Sequence, residues 1–414
     1  MTRVEVVIGL GFGDEGKGTI VDWLARRDAA PPLVVRWNGG PQAMHHVVTT
    51  DGRTHCFAQL GAASLVPGAR THLAAEMAID PYALHGEVAA LAELGVADAL
   101  ATVTIDPRCR VVTPWHAIVN RLRELARGAA RHGSTGRGVA EAKLGAHGLR
   151  ADELGAGRAT RIATVRTALA AEARALAATC EAAPEAAAAL AARADDRDLF
   201  DGFDHACAGL SDVAITRSGP AAEHVILEGA HGALLDRDHG FAPHLTPSRV
   251  TRAAADAALR DLGLDGPVEV WGVLRAYHTR HGAGPLPSER AELARQLPER
   301  HNPDDGWAGR FRVGWFDAVL ARHALDFAGP IDRLAITCCD RLEGEAAIVD
   351  AWQTPAGEVR DLRALAVDAR TAIATAAVPT VRTVPAMVAA IEAALGRTVD
   401  VASWGPTAAD KRAR

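Results

Sequence analysis

A chain of 414 residues, 49% of them hydrophobic, can build two ordinary domains or one large α/β domain. A net charge of −6 and a pI near 6.3 argue against a nucleic-acid partner, and a mean hydropathy of +0.02 with no long apolar run argues against a membrane span. Six cysteines without CxxC pairs or histidine spacing argue against structural zinc, and with no leader pattern at the N-terminus they predict reduced thiols and a cytoplasmic location.

The first element expected is a buried strand at Val4–Leu10, followed by Gly11-Phe12-Gly13-Asp14-Glu15-Gly16-Lys17-Gly18-Thr19 and a helix over Thr19–Arg27. A strand that turns through glycines into a helix presents backbone amides to an anion. Two templates fit. Gly11, Gly13 and Gly16 match a dinucleotide fingerprint, whereas Gly11, Gly16 and Lys17 match a phosphate loop with Gly18 in place of its hydroxyl residue. Two carboxylates beside a bare pyrophosphate would repel it, so Asp14 and Glu15 favour a loop that works with Mg²⁺ and a transferring phosphoryl group. A plain glycine turn would need neither Asp nor Lys. The chain has only three lysines (Lys17, Lys143, Lys411), and one stands in this loop. With the usual hydroxyl absent at Gly18, Asp14 is the obvious metal ligand.

A second strand at Leu33–Trp37 opens into Asn38-Gly39-Gly40-Pro41-Gln42-Ala43-Met44-His45-His46, where an α/β sheet places its site. His45 there can stabilise a transferring phosphoryl group or act as an acid. Helices are expected at Pro81–Leu94 and Trp115–Arg127, with a strand at Ala101–Ile105 between them. Next comes His132-Gly133-Ser134-Thr135-Gly136-Arg137-Gly138, a hydroxyl, glycine and arginine cluster suited to an anion. Residues of about 152–222 form a helical subregion, alanine-rich from about Arg158 to Asp196 and broken near Pro184. Strands at His224–Glu228, Val268–Leu274 and Leu334–Cys338 complete an alternating pattern that predicts a largely parallel sheet. Glu228-Gly229-Ala230-His231-Gly232 follows one of them, with Asp236, Asp238 and Thr246 beyond. Asp340 follows another, placed either to accept the edge N–H groups of guanine or to cap a helix. The tail after Asp410 is expected to fray.

These motifs together resemble the adenylosuccinate synthetase family, from Val4 to about Lys411 with a weak stretch between Asp152 and Glu223. The loop Gly13–Gly18 carries that family's GDEGKG signature. Gly39–His45, Ser134–Gly138, Glu228–Asp236, Arg280–Pro287, Gly314–Val319 and Ser403–Pro406 follow in the family's order. The resemblance implies one α/β domain over residues 1–414, a phosphate-loop-like fold with a large, mostly parallel sheet flanked by helices. It implies a ligase using GTP and Mg²⁺. Phosphorylation of the 6-oxo group of inosine monophosphate (IMP) is followed by displacement of phosphate by the amine of aspartate. Catalytic roles fall on Asp14, which takes the N1 proton, on Lys17 and on His45. Asp14 and the Met44 carbonyl would hold Mg²⁺. Nucleotide contacts fall on Gly13, Glu15, Gly16, Lys17, Gly18, Thr19, Asp340, Ser403 and Gly405. Substrate contacts fall on Ser134, Thr135, Arg137, His231, Thr246, Arg310 and Arg312. The partners implied are small molecules (a purine nucleotide and an amino acid) and a second copy of the chain in a homodimer.

Departures from the family pattern cluster on the substrate side. Gln42-Ala43-Met44-His45-His46 stands where the family reads NAGHT, and His231 replaces the glutamine of EGAQG. Val139-Ala140-Glu141-Ala142-Lys143 lacks the arginine that reaches across the family's dimer to a 5′-phosphate. The amino-acid loop, normally rich in threonine and arginine, reads His301-Asn302-Pro303-Asp304-Asp305-Gly306-Trp307-Ala308-Gly309-Arg310-Phe311-Arg312. Cys338 replaces the guanine pocket's lysine. Three readings follow: the family's own reaction, the same activation chemistry on a different acceptor and amine, or a nucleotide-binding protein without catalysis.

Overall fold

A computed structural model describes residues 2–299, 306–342, 346–363 and 365–414. Its centre is a ten-stranded sheet in the order Ala214–Ile215, Val103–Ile105, Arg70–Leu73, Leu33–Arg36, His224–Gly232, Arg3–Gly9, Val268–Arg275, Arg333–Thr337, Val401–Ser403 and Lys411–Ala413. Every pairing is parallel except the last. The run Val4 to Leu10 is continuously apolar because both faces of its strand are covered. Val4, Val6, Ile8 and Leu10 pack into one core, while Val7 points into the other.

A second, five-stranded sheet joins Tyr277–His281, Phe311–Asp317, Ala346–Thr354, Gly357–Val359 and Val378–Val384. It matters because it delivers Arg280, His281 and Arg312 to the loops above the first sheet. The alanine-rich region forms Arg158–Ala178 and Pro184–Ala192, with Pro184 as first residue of its helix, where a missing N–H costs nothing. Its longer helix buries Ile162, Val165, Leu169, Ala170 and Ala173, one stripe at helical spacing.

The expected elements are present with local differences. The helix after the glycine loop is Lys17–Ala25, starting two residues before Thr19 because Gly16, at φ +87°, turns straight into it. Ala99–Thr102 is a short 3₁₀ turn, so that strand begins only at Val103. The strand from His224 runs on to Gly232. The C-terminal tail is not frayed: Lys411–Ala413 pairs with Val401–Ser403, and Lys411 is buried. All six cysteines are free thiols, and no described helix is long and apolar enough to cross a membrane.

Candidate functional site

The glycine loop is held from inside by Glu15. Its Oε1 accepts from the amides of Gly11 at 2.9 Å and Gly13 at 2.8 Å, and its Oε2 pairs with Lys17 Nζ at 2.6 Å. Carboxylate and ammonium are both buried. Gly9 and Gly232 leave the space that Glu15 fills, since a β-carbon at either would collide with its carboxylate. Thr337 Oγ1 donates to the Glu15 carbonyl at 2.6 Å, fixing the loop to the next strand end. Glu15 therefore acts on the loop's shape rather than on a ligand directly. The helix behind it starts at Gly16 with no side-chain cap, so its leading N–H groups lack intrahelical acceptors and face outward as anion donors.

His45 stands opposite, on the strand His45–Val48. Its Nδ1 donates to Glu228 Oε1, and Glu228 Oε2 accepts the amide of Ala62 at 2.9 Å. That arrangement fixes the ring, and the buried Nε2 has no protein partner among the described residues. Burial pushes the His45 pKa down while the Glu228 charge opposes this, and the carboxyl of Glu228, despite its own burial, is held low by His45 and Arg36. An imidazole backed by a carboxylate gains its second proton when an anion reaches Nε2.

Asp14 projects from the loop at φ +58°, a left-handed conformation that is uncommon outside glycine and that aspartate tolerates better than most residues. Its Oδ2 pairs with His281 Nε2 at 3.1 Å. Burial alone would raise the Asp14 carboxyl, but the hydrogen bond and charge of His281, with Arg275 and Lys17, bring it to about 2. The aspartate is thus ionised and able to take a proton or a cation. No group of three or more acidic, histidine or cysteine side chains able to hold a metal occurs among the described residues. One carboxylate and the carbonyl of the exposed Met44 are nevertheless the kind of donor set Mg²⁺ takes when substrate phosphates supply the rest.

The acceptor side gathers around His231. This residue has φ +63°, and its Nε2 meets Gln42 Nε2 at 3.2 Å. Burial, with the charges of Lys17, Lys143, His45 and Arg36, pushes its pKa down to about 3, so the ring is neutral. Asn38 accepts the amide of Ala230 at 2.7 Å and donates to the Arg249 carbonyl at 2.8 Å, which ties the buried Thr246 and Ser248 to the same sheet edge. Ser134 donates to Asn120 Oδ1 at 2.5 Å, while Thr135 and Arg137 are exposed. Gly136 packs on Trp307 and Gly282 on Ala308, so the segments around 134, 282 and 307 converge.

Arg310 and Arg312 both pair with Glu289, at 2.7 and 2.5 Å, and Arg312 also donates to the carbonyls of Gly282 and Gly284. Residues 301–305 of the expected amino-acid loop lie outside the described residues. At the other end, Ser403 Oγ donates to the Gly405 carbonyl at 2.9 Å, and Lys411 Nζ to Gly405 and Thr407 carbonyls at 3.1 and 2.8 Å. Asp340 lies on the turn Cys339–Leu342, whose Cys339 thiol contacts the Ser403 backbone. Thr19 donates to the Pro406 carbonyl at 2.9 Å, linking the glycine-loop helix to the segment expected to hold the base.

Sequence reasoning singled out Asp14, Lys17 and His45, but did not assign roles to Glu228, His281 or Glu289. An acid ending an apolar strand was the available signal for Glu228. Nothing in the sequence pairs His281 with Asp14, because the partners come from different sheets.

This architecture defines an α/β enzyme built around a glycine loop at the carboxyl edge of a parallel sheet. The family model for adenylosuccinate synthetase matches residues 6–410, and the chain belongs to that family, whose members are C–N bond-forming ligases. It is 35% identical over 357 residues to adenylosuccinate synthetase of Acidithiobacillus ferrooxidans, covering 84% of this chain and 80% of the relative. It is 32% identical over 369 residues to that of Neisseria gonorrhoeae, covering 87% and 83%. Among solved structures, the fully ligated adenylosuccinate synthetase of Plasmodium falciparum matches with a TM-score of 0.74 at 20% identity, covering both chains fully. The succinoaminodeoxyadenylate synthetase PurZ of cyanophage S-2L, bound to dGMP and to dATP as energy donor, matches with a TM-score of 0.60 at 18% identity over 100% of this chain and 95% of its own.

Proposed function

We propose that this chain is a GTP-dependent ligase that phosphorylates the 6-oxo group of IMP or an IMP-like acceptor. The amine of aspartate, or a related amine, then displaces the phosphate. The observation that carries the reading is the buried Nε2 of His45, without a partner among the described residues, on a ring braced by Glu228 and packed against Gly18 at the start of the glycine-loop helix. Asp14 takes the proton from N1 of the acceptor, and the oxygen so activated attacks the γ-phosphorus as the diphosphate leaves. Lys17 and the amides from Gly16 to Thr19 hold the phosphates, and His45 donates to the transferring group. The amine then attacks C6, phosphate departs, and the amine loses a proton to solvent. Asp14 and the Met44 carbonyl would hold Mg²⁺, which would neutralise phosphate charge there. The protein's contribution is positioning and preorganised charge. Gly13 and Glu15 shape the loop, and Asp340, Ser403 and Gly405 select guanine. Ser134, Thr135, Arg137, His231 and Thr246 contact the acceptor, and Arg310 and Arg312 the amine's carboxylates. The chain acts as one domain, in a cytoplasmic homodimer.

A second reading, the same activation on a different acceptor and amine, is favoured by one observation. Arg310 and Arg312 are both engaged by Glu289 rather than free for a dicarboxylate. Phosphate release with GTP, IMP and aspartate separates the two. Turnover at a rate usual for biosynthetic enzymes supports the first reading. Release that requires another acceptor or amine supports the second, and none with any acceptor overturns both.

A further inference from the structure

Arg310 and Arg312, the two arginines expected at the amine end, are not equivalent. The side chain of Arg312 is 16% exposed, and the protein itself uses its guanidinium. Nε donates to Glu289 Oε2 at 2.7 Å, and Nη2 meets the same oxygen at 2.5 Å. Nη1 donates to the carbonyls of Gly282 at 3.0 Å and Gly284 at 2.7 Å. That engages four of its five N–H groups and leaves no adjacent pair to fork a carboxylate. Arg310 differs. Among the described residues it gives one N–H to Glu289 Oε1, at 2.7 Å, and its side chain is 57% exposed. One complete fork remains, open to water.

The backbone fixes this division. Arg312 pairs with Arg280 in the antiparallel ladder of the second sheet, and the Gly282 amide donates to the Arg310 carbonyl at 2.9 Å. Glu289 is held in turn, its amide bonded to the Leu286 carbonyl at 2.9 Å and its backbone bridged to Gly314. Arg312 is thus a strut for the 282–284 turn, and Glu289 balances one of the two arginine charges. The neighbouring cations are engaged as well. Arg280 donates to the carbonyls of Ala283, Pro285 and His244, while Arg121 and Arg131 lie over the Trp307 ring at 5.5 and 5.7 Å. The surfaces that converge beside Arg310 are those of Ala283, Ala308 and Trp307, which bring no charge. A second carboxylate placed among them would lose water and gain no partner.

We propose that the amine donor carries a single carboxylate, as an α-amino acid with an uncharged side chain does, and that Arg310 alone grips it. This inference rests on the reading of the Arg310 segment as the amine end, and it specifies the related amine of the second reading above. One net positive charge on the cluster of Arg310, Arg312 and Glu289 matches one carboxylate. The attacking nitrogen of such a donor stays neutral and brings no further charge into the site.

Phosphate release by the full-length protein with GTP, IMP and varied alanine, aspartate or methylamine tests it, together with calorimetric titration of the same three amines. The wild type should use alanine with a kcat/KM about 10-fold above that for aspartate or methylamine, the scale of one charge-assisted hydrogen-bonded pair. Arg310→Met should erase the preference for alanine over methylamine, and Arg310→Lys should restore part of it. Glu289→Gln removes the charge that holds Arg312 and should shift the ratio towards aspartate about fivefold. Thermal melting of each variant checks the fold. If aspartate is preferred to alanine, or methylamine matches alanine, the proposal is overturned while the ligase reading stands. If no amine supports phosphate release, yet alanine binds more tightly than aspartate in an Arg310-dependent way, the ligase reading fails and the single-carboxylate site stands. If no amine is used or bound, the proposal is overturned.

Discussion

Gly18 and His45 pack so closely that a β-carbon at position 18 would lie 2.7 Å from the His45 β-carbon. The hydroxyl that a usual phosphate loop carries there is excluded because the strand bearing His45 occupies its space. Gly18→Ser should displace His45 by a fraction of an ångström to one ångström and lower the rate of phosphate release about 100-fold, with nucleotide binding still measurable. A Gly18→Ser protein with unchanged turnover would remove the steric explanation.

Glu228→Gln keeps the shape of the His45 brace and removes its charge. Turnover should fall by about 10²–10³-fold with a wild-type melting temperature, because the imidazole loses the anion that supports its second proton. A loss within threefold would show that Glu228 only orients the ring.

Glu15→Gln leaves the Lys17 ammonium buried without its counter-charge, which should cost about 3–5 kcal/mol in a urea titration. Adding Lys17→Met should recover part of that stability but no activity. Additive losses in the double variant would mean that the two side chains are not coupled.

Acid should unfold the protein early. His72, His116, His278 and His323 are buried and held at about 4, and His231 at about 3, all chiefly by desolvation. Each is neutral when folded and gains a proton near pH 6.5 when unfolded. The unfolded state therefore binds more protons between pH 6.5 and about 4, and stability falls as pH drops through that window. Each group contributes roughly 1 kcal/mol per pH unit. His323→Leu, in a pocket beside Phe241 and Phe327, should flatten the slope of urea midpoint against pH; an unchanged slope would exclude His323 as a contributor.

Glu289→Gln should release Arg310 and Arg312. If they serve the amine, KM for aspartate falls about fivefold, the scale of a partly exposed ion pair. If KM is unmoved and the melting temperature drops, the pair is a strut between the segments near 282 and 310.

Much of this was legible in the chain because the informative residues are local. Gly11 to Thr19 announces its own geometry, and apolar runs bounded by glycine mark the parallel strands. The partnerships that tune the site were not legible. Glu228 reaches His45 across 183 positions, and His281 reaches Asp14 from another sheet. The tail was misjudged for the same reason. Lys411-Arg412-Ala413 looks polar and terminal, yet it adds a strand whose value depends on Val401–Ser403 lying beside it.

All three lysines are withdrawn from the surface, so the chain meets solvent with guanidinium as nearly its entire positive charge. Guanidinium does not react with acyl donors under conditions that modify amines. Among side-chain amines, an acetylating or amine-crosslinking reagent would find only buried ammoniums. Slow modification of those amines would then report on the opening of the structure around each of them, free of the surface background that most proteins of this size carry.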